Sequence, residues 1–225
     1  VLGTAVEKSY DLAGIKGLAI AVSEYYRAQG YPFARAFIPE QEMTDGNLLI
    51  EVIEGQYGNI SITGEDPFLN KQARAFLAAL QTGNVIESTA LERATLILSD
   101  QQGIKSSPSI QPGSQTGTGD LVVDIKRDNP ITASVGIDNQ GNRYTGENKA
   151  KVNLSFNSPF MLGDQITLAA LYSEENMWFG NVGYNLPLHA NGLRGNVSYA
   201  HTYYQLGKDF KNLGAKGTAD ILSAG

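Results

Sequence analysis

The sequence has 225 residues, no cysteine and a formal net charge of −6. A chain without cysteine has neither a disulfide framework nor a thiolate metal site, and its scattered Lys and Arg residues argue against a nucleic-acid binder, because phosphate binding needs clustered basic residues. The sequence contains no run of about eighteen apolar residues, so it predicts no transmembrane helix. A membrane-spanning β-strand, however, needs only about 9–11 residues of alternating polarity. Because Val1 follows neither Met nor a signal-like stretch, we expect an excised piece of a longer protein.

Residues 1–55 predict a helix and then a β-hairpin. Asp11 is suited to cap the helix, and apolar residues recur at helical spacing from Leu12 to Tyr26, up to Gly30. The stretch from Phe33 to Pro39 alternates large apolar residues with small or polar ones, as in a strand. The predicted tight turn and the apolar face of the second strand comprise Asp45-Gly46 and Leu48, Ile50 and Val52.

A similar order of elements returns from Tyr57, with a strand, two helices and two strands. "QPGSQTGTG" between the last two strands is rich in Gly, Ser and Thr and predicts a hairpin loop. This is a βααββ unit, and residues 1–55 look like the C-terminal part of another, whose opening strand is missing or lies within Val1 to Tyr10. The predicted elements are Asn59–Thr63, Leu69–Leu80, Ser88–Gln102, Lys105–Gln111 and Asp120–Lys126.

After Pro130 the period changes to strict alternation in long strands, with no helix to cover either face. The connections alternate between longer polar ones and tighter ones, and aromatic residues cluster near the strand ends, as in a membrane barrel. The polar face carries Asn, Ser, Thr, Lys and Arg, which suits a water-filled lumen. A soluble β-sandwich would also alternate and stays open as an alternative. The predicted outward residues are Ile131, Val135, Val152, Leu154, Ile166, Leu168, Trp178 and Val197.

Four stretches, in this order, resemble the two-partner secretion transporters of the hemolysin-activator type. They are "QGYPFARAFIPEQ", "DGNLLIEVIEG", "LSDQQGIKSSPSIQPGSQTGTGDLVVDI" and "NSPFMLGDQITL". The likeness covers nearly the whole chain and would assign it polypeptide-transport-associated (POTRA) domains and the entry of a β-barrel. Its most specific positions are Gly30, Tyr31, Ala34, Pro39 and Gln41, then Pro112, Gly113, Gly117, Thr118, Asp120 and Leu121.

The chain also departs from the family pattern. Gln101-Gln102-Gly103 stands where the family often has Leu-Pro-Gly, and the Val-Arg-Gly-Phe/Tyr motif of the pore loop is absent. About six strands can be counted, whereas the family's barrel has roughly sixteen, within the range for such barrels.

The resemblance implies a fold class of α+β POTRA domains (βααββ-type) followed by the first strands of an antiparallel transmembrane β-barrel. We expect residues 1–55 to be the C-terminal part of a first POTRA domain, 56–127 a second POTRA domain, and 128–225 an incomplete barrel. The expected location is the bacterial outer membrane, with the POTRA domains in the periplasm. The expected partners are an unfolded secreted exoprotein and outer-membrane lipid, without nucleic acid or cofactor.

The exposed edge of a POTRA sheet can accept an extended client as an added strand, because its unpaired N–H and C=O groups fit any sequence. The alternative is that the candidate strands are paired or capped within the fold. No active site is predicted, since His189 and His201 have no partner at a meaningful spacing. The candidate client-binding residues are Phe33, Ala34, Arg35, Ala36, Phe37, Ile38, Asn59, Ile60, Ser61, Ile62 and Thr63.

Three functions remain open from the sequence. The first is an outer-membrane transporter that captures an unfolded exoprotein and secretes it through the barrel. The second is a POTRA-barrel anchor or exporter for a fused enzyme, and the third is a soluble two-domain binding protein. The transporter is the leading hypothesis.

Overall fold

Helix α1 (Leu12–Ala28) opens the described part of the chain, which in this computed structural model comprises residues 3, 9–42 and 46–225. The side chain of Asp11 accepts a hydrogen bond of 2.7 Å from the backbone N–H of Gly14, as a helix cap does. Gly30, with φ at 93°, turns the chain away beyond the helix end. The predicted helix, its N-terminal cap at Asp11 and its stop at Gly30 are confirmed.

The predicted hairpin exists but its strands are shorter than expected. Strands β1 (Arg35–Phe37) and β2 (Glu51–Ile53) pair antiparallel, with Ala36 opposite Val52. Leu48 and Ile50 were expected in the second strand but lie outside it. The Gln41 carboxamide instead donates to the backbone oxygen of Leu49 at 2.9 Å and accepts from its N–H at 2.8 Å, so a side chain replaces the strand ladder there. The predicted turn at Asp45 and most of Val1 to Tyr10 lie outside the described residues.

The second α/β segment has the predicted order of elements. Its three strands form a sheet in the order β3-β5-β4, in which β3 runs parallel to β5. Both helices end earlier than predicted. The elements are β3 (Gln56–Thr63), α2 (Pro67–Phe76), α3 (Ser88–Ser99), β4 (Ile104–Pro112) and β5 (Thr118–Arg127). Strand β5 buries every second residue, including Leu121, Val123 and Ile125, so one face of this sheet is covered.

The glycine-rich hairpin loop is shorter than its composition indicates, because β4 and β5 extend into it. Gly113 donates its backbone N–H to the carbonyl of Thr118 at 2.9 Å, and the Thr118 hydroxyl donates to the carbonyl of Gln115 at 2.8 Å. Gly117 has φ at 81°, which favours glycine at that position of the turn. Only residues 113–117 therefore lie outside the strands.

Six long antiparallel strands follow Pro130, which confirms the predicted change of period. They pair only with their chain neighbours in one sheet, so β6 and β11 are its two edges. A 3₁₀ helix, Lys208–Leu213, lies between the last two strands. The strands are β6 (Ile131–Asp138), β7 (Lys149–Asn157), β8 (Gln165–Ser173), β9 (Trp178–Pro187), β10 (Arg194–Gln205) and β11 (Lys216–Ala224).

The register of this sheet separates an apolar face from a polar face. Ile131, Phe156, Ile166, Tyr184 and Val197 form one continuous cross-strand row. Because side chains alternate along a strand, all eight residues predicted to point outward share this apolar face. It is largely uncovered, and Val135 is 78% exposed. The polar face carries residues such as Ser134, Asn153, Thr167 and Asn181.

The described chain divides by its contacts into two compact units. One contains the described residues up to Gly64 together with Phe76–Leu98 and Ser107–Asp124, and the other contains Glu65–Ala75, Ser99–Ser106 and Ile125–Gly225. The beginning of α2 and the segment after α3 therefore pack with the six-stranded sheet. None of the helices in the described ranges is long and apolar enough to cross a membrane.

Candidate functional site

A groove runs between α1 and β1 and encloses a cavity of about 710 Å³. One wall is a face of α1, whose residues recur every three or four positions. The other wall is β1 and the chain that continues from it. Residues of both walls lie in the same compact unit. The lining comprises Leu12, Ile15, Lys16, Ala19, Ile20, Ser23, Glu24, Arg27, the segment Arg35–Gln41 and Leu48.

The groove has an apolar surface bordered by charges of both signs. Leu12 and Ile20 are 70% and 59% exposed, which is unusual for large aliphatic side chains on one helix face. Lys16, Arg27 and Arg35 line the same groove as Glu24 and Glu40. Such a surface can take up apolar side chains of a ligand while the rim contacts its polar groups.

Ser23 joins the helix to the strand at the bottom of this groove. Its buried hydroxyl donates to the carbonyl of Ala19 at 2.9 Å and accepts from the backbone N–H of Ala36 at 2.8 Å. The N–H of Ala34 also has an internal acceptor, the carbonyl of Tyr31 at 3.1 Å. Two backbone donors of the first candidate edge are thus already used inside the domain, and an added strand would have to replace them.

The eleven candidate residues fall in three different places. Arg35 to Ile38 line the groove, although Ala34 and Ala36 are buried and offer no side-chain surface. Phe33 instead lines a second cavity of about 320 Å³ together with Ile86 and Ile110. Asn59 to Thr63 belong to β3, in the three-stranded sheet. The structure therefore does not bring the two candidate stretches into one strand edge.

Strand β3 is an edge strand, but part of its free side is occupied. The backbone of Tyr57 donates to the carbonyl of Asn84 at 2.9 Å and accepts from the N–H of Gly83 at 2.7 Å. At a bulge in the pairing with β5, the N–H of Asn59 donates to the carboxylate of Asp120, a residue of β5, at 2.7 Å. The stretch from Ile60 to Thr63 is what remains of this edge, and it pairs with β5 alone among the described strands.

The opposite edge of the same sheet is β4, which the sequence reasoning did not propose as a binding edge. Most of its residues are exposed, and Pro108 lies in the middle of the strand. Proline has no N–H to donate to a ladder, so a proline within a strand indicates an edge position. That signal was present in the sequence and could have identified β4.

Tyr57 is a buried polar residue near these edges. The residue is 2% exposed, and its buried hydroxyl has no hydrogen-bond partner among the described residues. Burial, assisted by the negative charge of Glu87, raises the pKa of Tyr57 above its usual value. The residue stays neutral and packs as part of the core.

Polar side chains also cluster on the apolar face of the six-stranded sheet. Asp220 accepts from the hydroxyl of Tyr199 at 2.6 Å, and Nδ1 of His201 lies 2.6 Å from the same carboxylate oxygen. The ring of Trp178 stacks on His201 with centroids 4.7 Å apart. Nδ1 of the second histidine, His189, accepts the backbone N–H of Asn191 at 3.1 Å within a turn. In the ranges that the structure describes, no group of three potential ligands could hold a metal ion.

The inner end of this sheet, where β7 ends and β8 begins, is fastened to the segment after α3. Arg194 donates to the side-chain oxygens of Asn185 at 2.9 Å and Gln101 at 3.1 Å, and to the carbonyl of Gly163 at 2.6 Å. The hydroxyl of Ser158 donates to the carbonyl of Gln102 at 2.5 Å. The Gln-Gln-Gly segment that departs from the family pattern thus forms this attachment, which the sequence did not predict.

Two family models match the chain. One is described as "POTRA domain, ShlB-type" and matches residues 1–55. The other is described as "Haemolysin secretion/activation protein ShlB/FhaC/HecB" and matches residues 117–224.

The chain is similar to curated proteins along its whole length. The "Heme/hemopexin transporter protein HuxB" of Haemophilus influenzae (strain 86-028NP) is 28% identical over 226 residues, covering 100% of this chain and 40% of HuxB. The "Outer membrane transporter CdiB" of Escherichia coli O6:K15:H31 (strain 536 / UPEC) is 30% identical over 159 residues, covering 71% of this chain and 27% of CdiB. The chain therefore spans less than half the length of these relatives.

Solved structures share the fold. CdiB from Escherichia coli superposes with a TM-score of 0.78 at 25% identity, covering 99% of this chain and 42% of CdiB. CdiB from Acinetobacter baumannii superposes with a TM-score of 0.67 at 17% identity, covering 96% of this chain and 42% of that protein, which shows a common fold only.

Proposed function

Because the chain belongs to the haemolysin secretion/activation family of two-partner secretion transporters, we propose that it receives an unfolded exoprotein in the periplasm and starts the pore through which that exoprotein leaves. The POTRA part would bind the client, and the six strands would form one side of the channel. The division into 1–55, 56–127 and 128–225 is part of this proposal.

Membership confirms several expectations. The predicted fold class, with POTRA elements before antiparallel barrel strands, agrees with the matching structures. Relatives named as outer-membrane transporters confirm the predicted location in the bacterial outer membrane, with the POTRA domains in the periplasm. These relatives are transporters, which confirms that the chain is not an enzyme. The rival reading of an enzyme anchor has no specific observation in its favour.

The two-faced sheet is the observation that carries the transport proposal. The strands from β6 to β10 place most of their large aliphatic or aromatic residues on one face and mainly Asn, Ser, Thr, Lys or small residues on the other, with Leu171, Phe179 and Tyr204 as exceptions on the polar face. A membrane barrel needs an apolar outer band against lipid and a polar inner wall against water. The exposed apolar face fits lipid as its partner, and the polar face fits an aqueous route for an extended chain.

The second part of the proposal concerns how the POTRA region binds its client. The groove between α1 and β1 would hold apolar side chains of an extended client against Leu12 and Ile20. The two candidate strands, Phe33 to Ile38 and Asn59 to Thr63, would pair with its backbone, the second most readily along Ile60 to Thr63. Ordering an extended client costs entropy, so many weak contacts, and a readily reversible complex, suit a transporter.

Secretion by variants of the full-length protein tests the groove. We expect Ile20→Asp to reduce the amount of exoprotein released, because a carboxylate in the apolar part of the groove must lose water when a client binds. Tyr25→Asp is the matched control, since Tyr25 is exposed on the same helix and does not line the groove. Equal secretion by the two variants, at equal amounts in the outer membrane, would refute capture in the groove.

Backbone NMR tests strand addition. Titration of the POTRA region with the N-terminal secretion segment of the exoprotein should shift the amide signals of Ile60 to Thr63, because added strands change the hydrogen bonds of the edge they join. Shifts confined to α1 would support the groove and remove strand addition from the proposal.

A further inference from the structure

Four carboxamide side chains form a row across the inner end of the six-stranded sheet. Asn157 is opposite Gln165, Gln165 is opposite Asn185, and Asn185 is opposite Asn196. All four lie on the polar face, in the position next to the segment that follows α3. We call these four residues the amide row.

The amide row keeps hydrogen-bonding capacity that the fold does not use. Asn157 is buried and uses one donor and one acceptor of its carboxamide inside the fold, because it donates to the carbonyl of Asn129 at 2.9 Å and accepts from Nε2 of Gln165 at 2.8 Å. It therefore fixes how Gln165 is oriented. Within the described residues, the side-chain oxygen of Gln165, the NH₂ group of Asn185 and the whole carboxamide of Asn196 have no hydrogen-bond partner.

A polar cavity of about 420 Å³ adjoins one end of the row. Gln102, Asn129 and Thr132 line it together with Asn157 and Gln165. Two carboxylates also reach it. One is Asp128, which is paired with Lys105 at 3.0 Å, and this pairing lowers the pKa of Asp128. The other is Asp100, which is exposed to solvent. The cavity therefore offers neutral donors and acceptors, and its acidic groups disfavour an anionic ligand.

We propose that the amide row and this cavity bind the backbone of an extended polypeptide as it enters the channel. This inference rests on the proposed function and adds a binding site to it. A carboxamide carries a donor and an acceptor like those of a peptide group, so it pairs with any sequence without regard to side chains. Four strands spaced about 4.8 Å apart make a row about 14 Å long, which matches four or five residues of extended chain at about 3.3 Å each.

Disulfide trapping tests the site, because the described sequence has no cysteine of its own. The full-length protein carrying Thr132→Cys and no other cysteine is purified in detergent. The probe is a neutral, unstructured peptide of about 20 Gly, Ser, Thr and Asn residues with one central cysteine, a length that exceeds the row. We expect trapping at Thr132→Cys to exceed trapping at Ile131→Cys, the adjacent position on the apolar face.

A second peptide separates backbone recognition from chance collision. Methylation of alternate backbone nitrogens removes peptide donors while leaving the cysteine unchanged. Each lost hydrogen bond is expected to lower trapping by roughly two- to tenfold. Equal trapping of the native and methylated peptides would overturn the site.

Substitutions in the row give an independent measurement. Gln165→Leu and Asn196→Leu should each reduce trapping at Thr132→Cys by roughly two- to tenfold. Asn153→Leu, on the same face but outside the row, should leave trapping unchanged, and heat-modified gel mobility reports whether each variant folds. Unchanged trapping in the folded row variants would refute the inference while exoprotein secretion by the parent protein still supported the proposed function. A parent protein that secretes no exoprotein would refute both.

Discussion

The guanidinium of Arg194 lies 3.1 Å from the side-chain oxygen of Gln101 and donates to it, although 93 residues separate the two in the chain. Gln101 is only 5% exposed. Arg194 also donates to the carbonyl of Gly163. One cation at the start of β10 thus binds β9, the connection before β8 and the segment after α3. We expect this contact to fix the segment after α3 to the inner end of the sheet.

Arg194→Met should destabilise the protein by at least about 2 kcal/mol, because hydrogen bonds to a charged group contribute about 1.5–3 kcal/mol each. Arg194→Lys should recover little of the loss, since a single ammonium cannot reach three acceptors in the geometry of a guanidinium. Arg143→Met is the control, because Arg143 makes an exposed ion pair with Asp209 and should cost less than about 1 kcal/mol. Thermal unfolding of the full-length protein in detergent measures all three. Comparable losses for Arg143→Met and Arg194→Met would contradict the assignment.

Gly163→Ala should be strongly destabilising. Gly163 has φ at 84°, and a Cβ there would come within 2.0 Å of the side-chain oxygen of Gln101. The backbone strain alone costs about 1–3 kcal/mol. At Gly136, in β6, an added Cβ meets nothing within 4 Å, so Gly136→Ala should be tolerated. The fraction of correctly folded barrel on heat-modified gels distinguishes the variants, and a fully folded Gly163→Ala protein would show that the contact can rearrange.

The two faces of the sheet should differ in their tolerance of charge. Val152→Asp and Leu168→Asp place a carboxylate on the apolar face and should impair barrel assembly. A charge at the bilayer midplane costs about 2–4 kcal/mol for Arg or Lys and less for Asp. Asn153→Asp on the polar face is the better control than Lys151→Asp, because Lys151 is paired with Asp138 and its replacement would put two carboxylates together. Equal assembly of the variants of both faces would contradict the assignment of the apolar face to lipid.

Asp66 should make the stability of the protein depend on pH in the acid range. It accepts backbone N–H groups of Leu69 and Phe68 at the start of α2 and pairs with Arg127 at 2.9 Å. The bond from Leu69, and then the Arg127 side chain, lower the pKa of Asp66 despite partial desolvation. A carboxyl whose folded-state pKa is depressed stabilises the fold above its usual pKa of about 3.9 and loses that contribution as pH falls through the folded-state value.

The measurement compares the parent protein with Asp66→Asn between neutral pH and pH of about 2, below the usual carboxyl pKa. We expect the parent to be more stable at neutral pH and the difference to shrink as the pH falls below the usual value of the carboxyl group. A stability difference that is constant across this range would show that Asp66 acts through packing or geometry rather than through its charge.

Local sequence patterns were sufficient to predict those helices and strands that are determined by neighbouring residues in the chain. Alternation predicted the change to about six long strands after Pro130, and the Asp11 cap with Gly30 predicted α1. The short strand β2 was overestimated because Gln41 binds the backbone of Leu49 in place of a strand partner. The period of apolar residues cannot predict that a side chain will take the backbone hydrogen bonds that a neighbouring strand would otherwise make.

The candidate site was predictable only in part for the same reason. A strand can be recognised from its pattern, but whether its outer N–H groups are free depends on residues elsewhere, such as Ser23, which accepts from Ala36. The contact of Arg194 with Gln101 links distant positions of the chain, and nothing in either local sequence specifies the other. The sequence did contain a sign of the β4 edge in Pro108.

The cluster of Tyr199, His201 and Asp220 on the apolar face has a consequence for the order of assembly. Asp220 belongs to β11, whereas both side chains that contact its carboxylate belong to β10. A strand carrying an isolated carboxylate toward hydrocarbon would be strongly disfavoured, but the same strand presents a satisfied group once its neighbour is beside it. Strands β10 and β11 should therefore enter the bilayer together as a preformed hairpin rather than one after the other.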